Sequence, residues 1–189
     1  PDISDHKWLT REKQIIWLLI DDLPAFGYFS MVFEERSFNN WLPFHWKGFR
    51  QEMRYTFVID RMEEEALDQH INRNLKRNIK EASAGLTIQK EVEGKIFFEM
   101  CKNTYRRQKM DMPYSFTLFS TIDAAVLSRG SGIKLGAYDL RGKLVAVAFL
   151  LWDNDRAYYL LAGDDASGRN TGASILLCRE ALRIAFEER

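Results

Sequence analysis

The sequence is short of the residues that build disulfide scaffolds and metal ribbons: its 189 residues include two cysteines, Cys101 and Cys178, and three histidines, His6, His45 and His70. Two thiols exclude a cysteine-dense secreted fold and a four-cysteine zinc site, and they fit a reducing, cytoplasmic setting. The histidines lie far apart with no metal-ligand spacing, which argues against a zinc centre. Both cysteines fall within helical patterns, where buried structural thiols are expected rather than nucleophiles. Net charge is also missing. The 27 Lys+Arg offset the 27 Asp+Glu, so no global field draws the chain to nucleic acid or an anionic bilayer, and any basic site must be local. The longest apolar run near the start, Ile15 to Ile20, stops at Asp21-Asp22, far short of the ~18 residues that a membrane span needs. It has neither the basic leader nor the small-residue cleavage site of a signal peptide. Internal repeats, low-complexity tracts, a nucleophile elbow and a dinucleotide fingerprint are all absent.

What is present is ample core material: 46% hydrophobic, 13% aromatic and 29% charged residues, the composition of a globular chain. The start at Pro1 and the close at Glu187-Glu188-Arg189, inside a helical pattern with no stop signal, are what a piece of a longer chain would show. The pattern predicts a helix over Trp8 to Ile20 with Thr10 as its cap, a strand over Phe26 to Glu34, a turn or short helix around Trp41, and a hairpin over Gly48 to Asp60 whose second strand is Arg54 to Asp60. Leu67, Ile71, Leu75, Ile79 and Ala82 keep helical spacing up to Gly85, predicting one helix with Glu63, Glu64, Glu65 and Asp68 at its front and Arg73, Lys76, Arg77 and Lys80 toward its back, as the helix dipole favours. A short strand from Leu86, helices over 94–109 and 117–129, and strands over 133–138, 143–151 and 156–161 follow. A last helix carries the stripe Ala173, Leu176, Leu177, Ala181, Ile184 and Ala185. Phe97, Phe98, Phe116 and Phe119 follow helical spacing and are expected in the core.

The most informative stretch joins the last strand to that helix. Arg169-Asn170-Thr171-Gly172-Ala173-Ser174 sets backbone N–H groups at a helix N-terminus, where the first turn has no internal acceptors and the dipole is positive. A phosphate fits there, with Gly172 allowing close approach and Arg169 adding a charge-assisted hydrogen bond. A helix start capped by Asn170 or Thr171, with no ligand, is the explanation that the local sequence taken alone favours.

From Leu86 onward, the order strand, helix, helix, three antiparallel strands, turn, helix resembles the GNAT (N-acetyltransferase) superfamily up to its coenzyme-binding helix. That family carries Arg or Gln, two variable residues, Gly, one variable residue, then Gly or Ala. Here Arg169 and Gly172 match and Ser174 departs. The run Asn72-Arg73-Asn74-Leu75-Lys76-Arg77-Asn78-Ile79-Lys80-Glu81-Ala82, preceded by Arg54 to Asp60, and the later Tyr158-Tyr159-Leu160-Leu161-Ala162-Gly163 resemble Fem-type peptidyltransferases, in which two GNAT-like halves share one chain.

The resemblance implies a mixed α/β (α+β) fold with a GNAT-like, largely antiparallel sheet flanked by helices, incomplete at its C-terminal side. Residues 1–60 are then the rear of a first unit, 61–85 a basic connecting helix, and 86–189 the front of a second unit. It also implies an N-acyltransferase with no permanently bound cofactor. The co-substrate is acyl-CoA (acetyl-CoA) or aminoacyl-tRNA, and the acceptor is an amine-bearing small molecule or a peptidoglycan-type precursor. The strand Arg156 to Leu161 would polarise the carbonyl, Tyr158 or Tyr159 would protonate the leaving group, and Asp164 or Asp165 would take the amine's proton. For each of these side chains packing or turn formation is the competing explanation. Arg73, Lys76, Arg77 and Lys80 would face an acidic partner such as transfer RNA, or form a solvated helix face. A non-catalytic binding module for a protein or nucleic acid is the rival assignment, and an unfinished sheet edge invites a homodimer.

Overall fold

The computed structural model describes residues 5–33 and 40–188, and the chain divides into two compact units, Pro1–Ile59 and Asp60–Arg189. In the first unit α1 (Asp5–Asp21) precedes α2 (Trp41–Trp46). Thr10 lies inside α1 rather than capping it. The Trp17 Nε1–H donates to the Pro43 carbonyl at 3.2 Å, and Lys47 pairs with Asp21 at 2.6 Å. The strands expected over Phe26 to Glu34 and Arg54 to Asp60 do not form among the described residues, and Glu34 lies outside them. β-Branched and aromatic residues favour strands only where a ladder partner exists. Here Phe26, Phe29, Phe44 and Phe49 instead gather ring against ring, while Tyr55 and Phe57 are exposed.

The second unit starts with α3 (Glu64–His70) and α4 (Arg73–Gly85), two helices where one continuous helix was expected. Ile71 is extended, and the Asn72 side chain accepts the Leu75 N–H at 2.9 Å as an N-cap, so the helix restarts there. The break puts Arg73 and Lys76 in the first turn of α4, which holds no acidic residue, with Arg77 and Lys80 further along the helix. The dipole therefore opposes Arg73 and Lys76 rather than favouring them.

β1 (Leu86–Gln89) follows at once, then α5 (Gly94–Arg107), α6 (Phe116–Arg129), β2 (Gly132–Asp139), β3 (Leu144–Trp152), β4 (Ala157–Asp164), a 3₁₀ turn at Ala166–Gly168 and α7 (Ala173–Glu188). The four strands form one antiparallel sheet in the order β1-β2-β3-β4, so β4 lies at one edge. Strand alternation sends Ala146, Ala148 and Leu150 to one face, where they pack with Ala82 of α4 and with Ala173, Leu177 and Ala181 of α7. Val147, Phe149 and Leu161 go to the other face, against Phe97, Phe98, Cys101 and Phe119 of α5 and α6. Phe116 touches Phe98 at 5.3 Å but lies at the rim, 44% exposed. Cys101 is fully buried, as expected, and burial pushes its thiol up to about 12. Cys178 is exposed, contrary to expectation, although partial desolvation still raises its pKa and keeps it protonated.

β4 runs three residues past its expected end because its tail seats tightly. A Cβ on Gly163 would lie 2.8 Å from the Cys101 backbone nitrogen, and one on Gly168 would lie 2.4 Å from the Val145 carbonyl oxygen. Backbone atoms cannot yield as a flexible side chain can, so Gly168→Ala should cost about 1–3 kcal/mol through overpacking. Urea denaturation checks this, and an unchanged midpoint would show that the turn is loosely packed.

Candidate active site

Four features converge at the C-terminal end of β4. The first is strand β4, at the edge of the sheet among the described residues. Phe149 pairs with Leu161 and Leu150 with Tyr159, so Leu160 is an extra residue, a β-bulge on the edge strand. A bulge interrupts the ladder and increases local twist, which turns backbone groups away from their ordinary register.

The second is the pair of tyrosines. Tyr158 stands opposite Leu151, and its hydroxyl donates to the Asp153 carboxylate at 3.2 Å. Tyr159 stands opposite Leu150, on the face that packs against α7. Burial pushes the Tyr159 phenol above its ordinary value, with the Cys178 and Cys101 thiols adding to the shift. A phenol shifted this way keeps its proton at neutral pH, although the residue as a whole is 42% exposed.

The third is the fastening of the strand's end. The Asp164 N–H donates to Thr104 Oγ1 at 2.9 Å, the Arg107 Nη1–H donates to the Asp164 carbonyl at 2.7 Å, and Arg107 Nη2 pairs with the Asp164 carboxylate. The next residue is tied separately. Asp165 donates its N–H to the Val145 carbonyl at 2.9 Å, and its carboxylate pairs with Lys143 and accepts from Ser167 at 2.8 Å. The Lys143 and Ser167 hydrogen bonds lower the Asp165 pKa to about 2. With the folded value depressed, the stabilisation from this tie is full above the unfolded carboxylate range and is lost only as pH falls through about 2. A carboxyl-resolved NMR titration should find Asp165 still ionised at pH 3. Both carboxylates are thus engaged, which leaves neither poised as a solvent-facing base.

The fourth is the loop into α7. Gly172 takes φ +74°, the left-handed region, and its carbonyl accepts the first helical bond, from Leu176 N–H at 3.0 Å. The helix therefore starts on Gly172, and neither Asn170 nor Thr171 caps it. Thr171 Oγ1 instead donates to the Gly168 carbonyl at 2.7 Å. Beside this start lies a groove of about 490 Å³ walled by Arg169 to Gly172 on one side and by Asn78, Glu81 and Ala82 of α4 on the other. Arg169, Asn170 and Ser174 are exposed, and Ala173 is buried. The structure thus brings the loop residues together with α4, a wall that the sequence pattern gave no sign of. Arg73, Lys76, Arg77 and Lys80 stay apart from the groove, exposed along one stripe of α4, with Arg77 paired to Glu81 at 3.7 Å.

A bulged edge strand running into a glycine turn and a helix N-terminus sets backbone N–H groups where an anion or a polarised carbonyl oxygen could be received. The family follows from sequence. The chain belongs to the acetyltransferase (GNAT) domain family, whose model matches residues 45–189. Among solved structures, FemX superposes with a TM-score of 0.63 at 12% identity, covering 80% of this chain and 58% of that one. The chain thus spans little more than half of FemX, and the likeness is one of fold. A spermidine N-acetyltransferase from Vibrio cholerae in complex with CoA and spermine matches at 18% identity, TM-score 0.42, covering 55% of this chain and 65% of that one. A putative acetyl transferase from Pyrococcus furiosus matches at 21% identity, TM-score 0.35, covering 55% and 76%. Comparison with curated protein sequences finds no significant match. Among the described residues, no helix is long and apolar enough to cross a membrane.

Proposed function

We propose that this protein transfers an acetyl group from acetyl-CoA to an amine, with the donor's diphosphate on the amides of Asn170, Gly172, Ala173 and Ser174, the Thr171 N–H being donated to the Gly168 carbonyl at 3.2 Å, and with Arg169 as its counter-charge. The thioester then lies along β4, where N–H groups beside the Leu160 bulge polarise its carbonyl. The neutral amine attacks the carbonyl carbon, the carbon–sulfur bond breaks, the departing thiolate takes a proton from Tyr159, and the proton shed by the attacking nitrogen passes through solvent and restores the Tyr159 phenol. Tyr159 fits that role better than Tyr158, whose hydroxyl is engaged by Asp153. Asp164 serves by holding the strand's end in place. The observation that carries the reading is the continuity of the edge strand, the left-handed Gly172 and the open first turn of α7.

The test is to incubate the protein with acetyl-CoA and a panel of amines that includes polyamines, amino acids and peptidoglycan-type precursors, and to follow release of the free thiol. Release that depends on an amine supports the reading. No release, together with transfer from aminoacyl-tRNA, would replace the donor. Tyr159→Phe should lower kcat by about 10- to 100-fold with little change in the donor KM, as loss of a general acid does. An unchanged kcat would assign the proton to another group.

A second reading concerns the basic stripe. Arg73 and Lys76, in the first turn of α4, are opposed by the dipole, which favours the stripe's serving an anionic partner rather than the stability of α4. Reversing the charge at Arg73, Lys76, Arg77 and Lys80 should abolish retention on a polyanion column and leave acetyl-CoA binding in place. Equal retention would remove this assignment.

A further inference from the structure

We infer that Arg107 is a positioning residue for the donor: by neutralising Asp164, it leaves Arg169 oriented at the loop yet free to turn to the donor's phosphates. This rests on the donor-loop reading above. Asp164 ends β4 and divides its polar atoms between two elements. Toward α5, its N–H, its carbonyl and carboxylate Oδ1 are all taken by Thr104 and Arg107. Toward the loop, Oδ2 lies 3.9 Å from Arg169 Nε, an ion pair at the limit of contact. The loop's backbone is pinned separately, by the Asp165 N–H on Val145 and by Gly168 seated against the same carbonyl. The Arg169 side chain, 54% exposed, is therefore the part of the loop left to move.

The charge balance gives this arrangement its consequence. Two guanidinium groups meet one carboxylate, so the base of the loop carries a net positive charge suited to a diphosphate. Without Arg107 the same carboxylate is uncompensated. It would grip Arg169 more tightly and repel the incoming phosphates. Arg107 is also not placed for stability alone, since its Nε–H is buried and finds no acceptor among the described residues, a defect of the kind retained at functional sites. It was invisible in the sequence because its partner is 57 residues away.

The experiment is calorimetric binding of acetyl-CoA to the whole protein and to four variants, each checked for a native melting transition. Arg169→Ala should weaken binding about tenfold, the scale of one charge-assisted contact. Arg107→Met should weaken it similarly, Arg107→Lys, which keeps the charge, by less than about threefold, and Arg107→Met with Asp164→Asn should recover most of the loss. A purely structural Arg107 would give a double variant no better than Arg107→Met, and that result overturns the inference. So does unchanged affinity in Arg107→Met while Arg169→Ala is impaired. If Arg107→Met does not fold, a Lys variant as weak as Arg169→Ala refutes the charge argument. Unchanged affinity in Arg169→Ala would instead overturn the donor-loop reading itself.

Discussion

Replacing Lys134 by Met should cost about 3–5 kcal/mol of unfolding free energy, the range for removing one partner of a buried ion pair. Lys134 on β2 and Asp123 on α6 form such a pair, with side chains only 7% and 12% exposed. The Asp123 carboxylate also lies where a Cβ on Gly94 would come within 3.0 Å of it, at the start of α5. The pair thus ties α6 to strand β2 of the sheet, with the start of α5 close by. Lys134→Met would leave a carboxylate buried beside Phe119 with no counter-ion. Coupling Lys134→Met to Asp123→Leu should restore stability to within about 1 kcal/mol of the parent, because two apolar groups of similar volume avoid the desolvation cost. Urea denaturation decides the matter: a single variant that costs less than about 1 kcal/mol would show that water reaches the pair.

Ser174→Glu should weaken acetyl-CoA binding by about 10- to 100-fold without loss of stability. Ser174 is exposed, at the second position of α7. A carboxylate there suits the helix dipole, which is worth about 0.3–1 kcal/mol in its favour. The same carboxylate would occupy the position proposed for the donor's diphosphate. Like charges about 4 Å apart in a partly solvated site repel by up to about 4 kcal/mol before screening, and each 1.4 kcal/mol is tenfold in affinity. Stability and binding therefore move in opposite directions, which separates a site effect from misfolding. Gly172 does not offer so clean a probe. Its Cβ direction meets the Ala82 Cβ at 3.0 Å and the Asn78 carbonyl oxygen at 3.4 Å, and its φ of +74° strains any side chain. Gly172→Trp would push α4 off α7 and report on folding.

The elements from Leu86 onward were legible because their patterns are local. A short, continuous apolar run marks β3, and Ala173, Leu177 and Ala181 keep the period of α7. The antiparallel sheet and its helical layers match the resemblance drawn from the motifs. What the sequence did not disclose depends on distant partners. Asp164 reads as loop until Thr104 and Arg107 of α5 hold it in the strand. The α3–α4 break turns on whether the Asn72 side chain caps or points away, which periodicity does not report. Phe26 and Phe57 carry strand propensity without a ladder partner among the described residues, and propensity alone makes no strand. The bulge at Leu160 is set by pairing with β3 and leaves no residue signature.

The central claim is that the first turn of α7 receives the phosphates of an acyl donor. Amide-resolved NMR during titration with CoA tests it most directly. Saturable shifts concentrated on the backbone N–H groups of residues 169–175, with smaller ones around Leu160, are the expected result. Saturable binding that leaves those amides unmoved and perturbs another surface would contradict it.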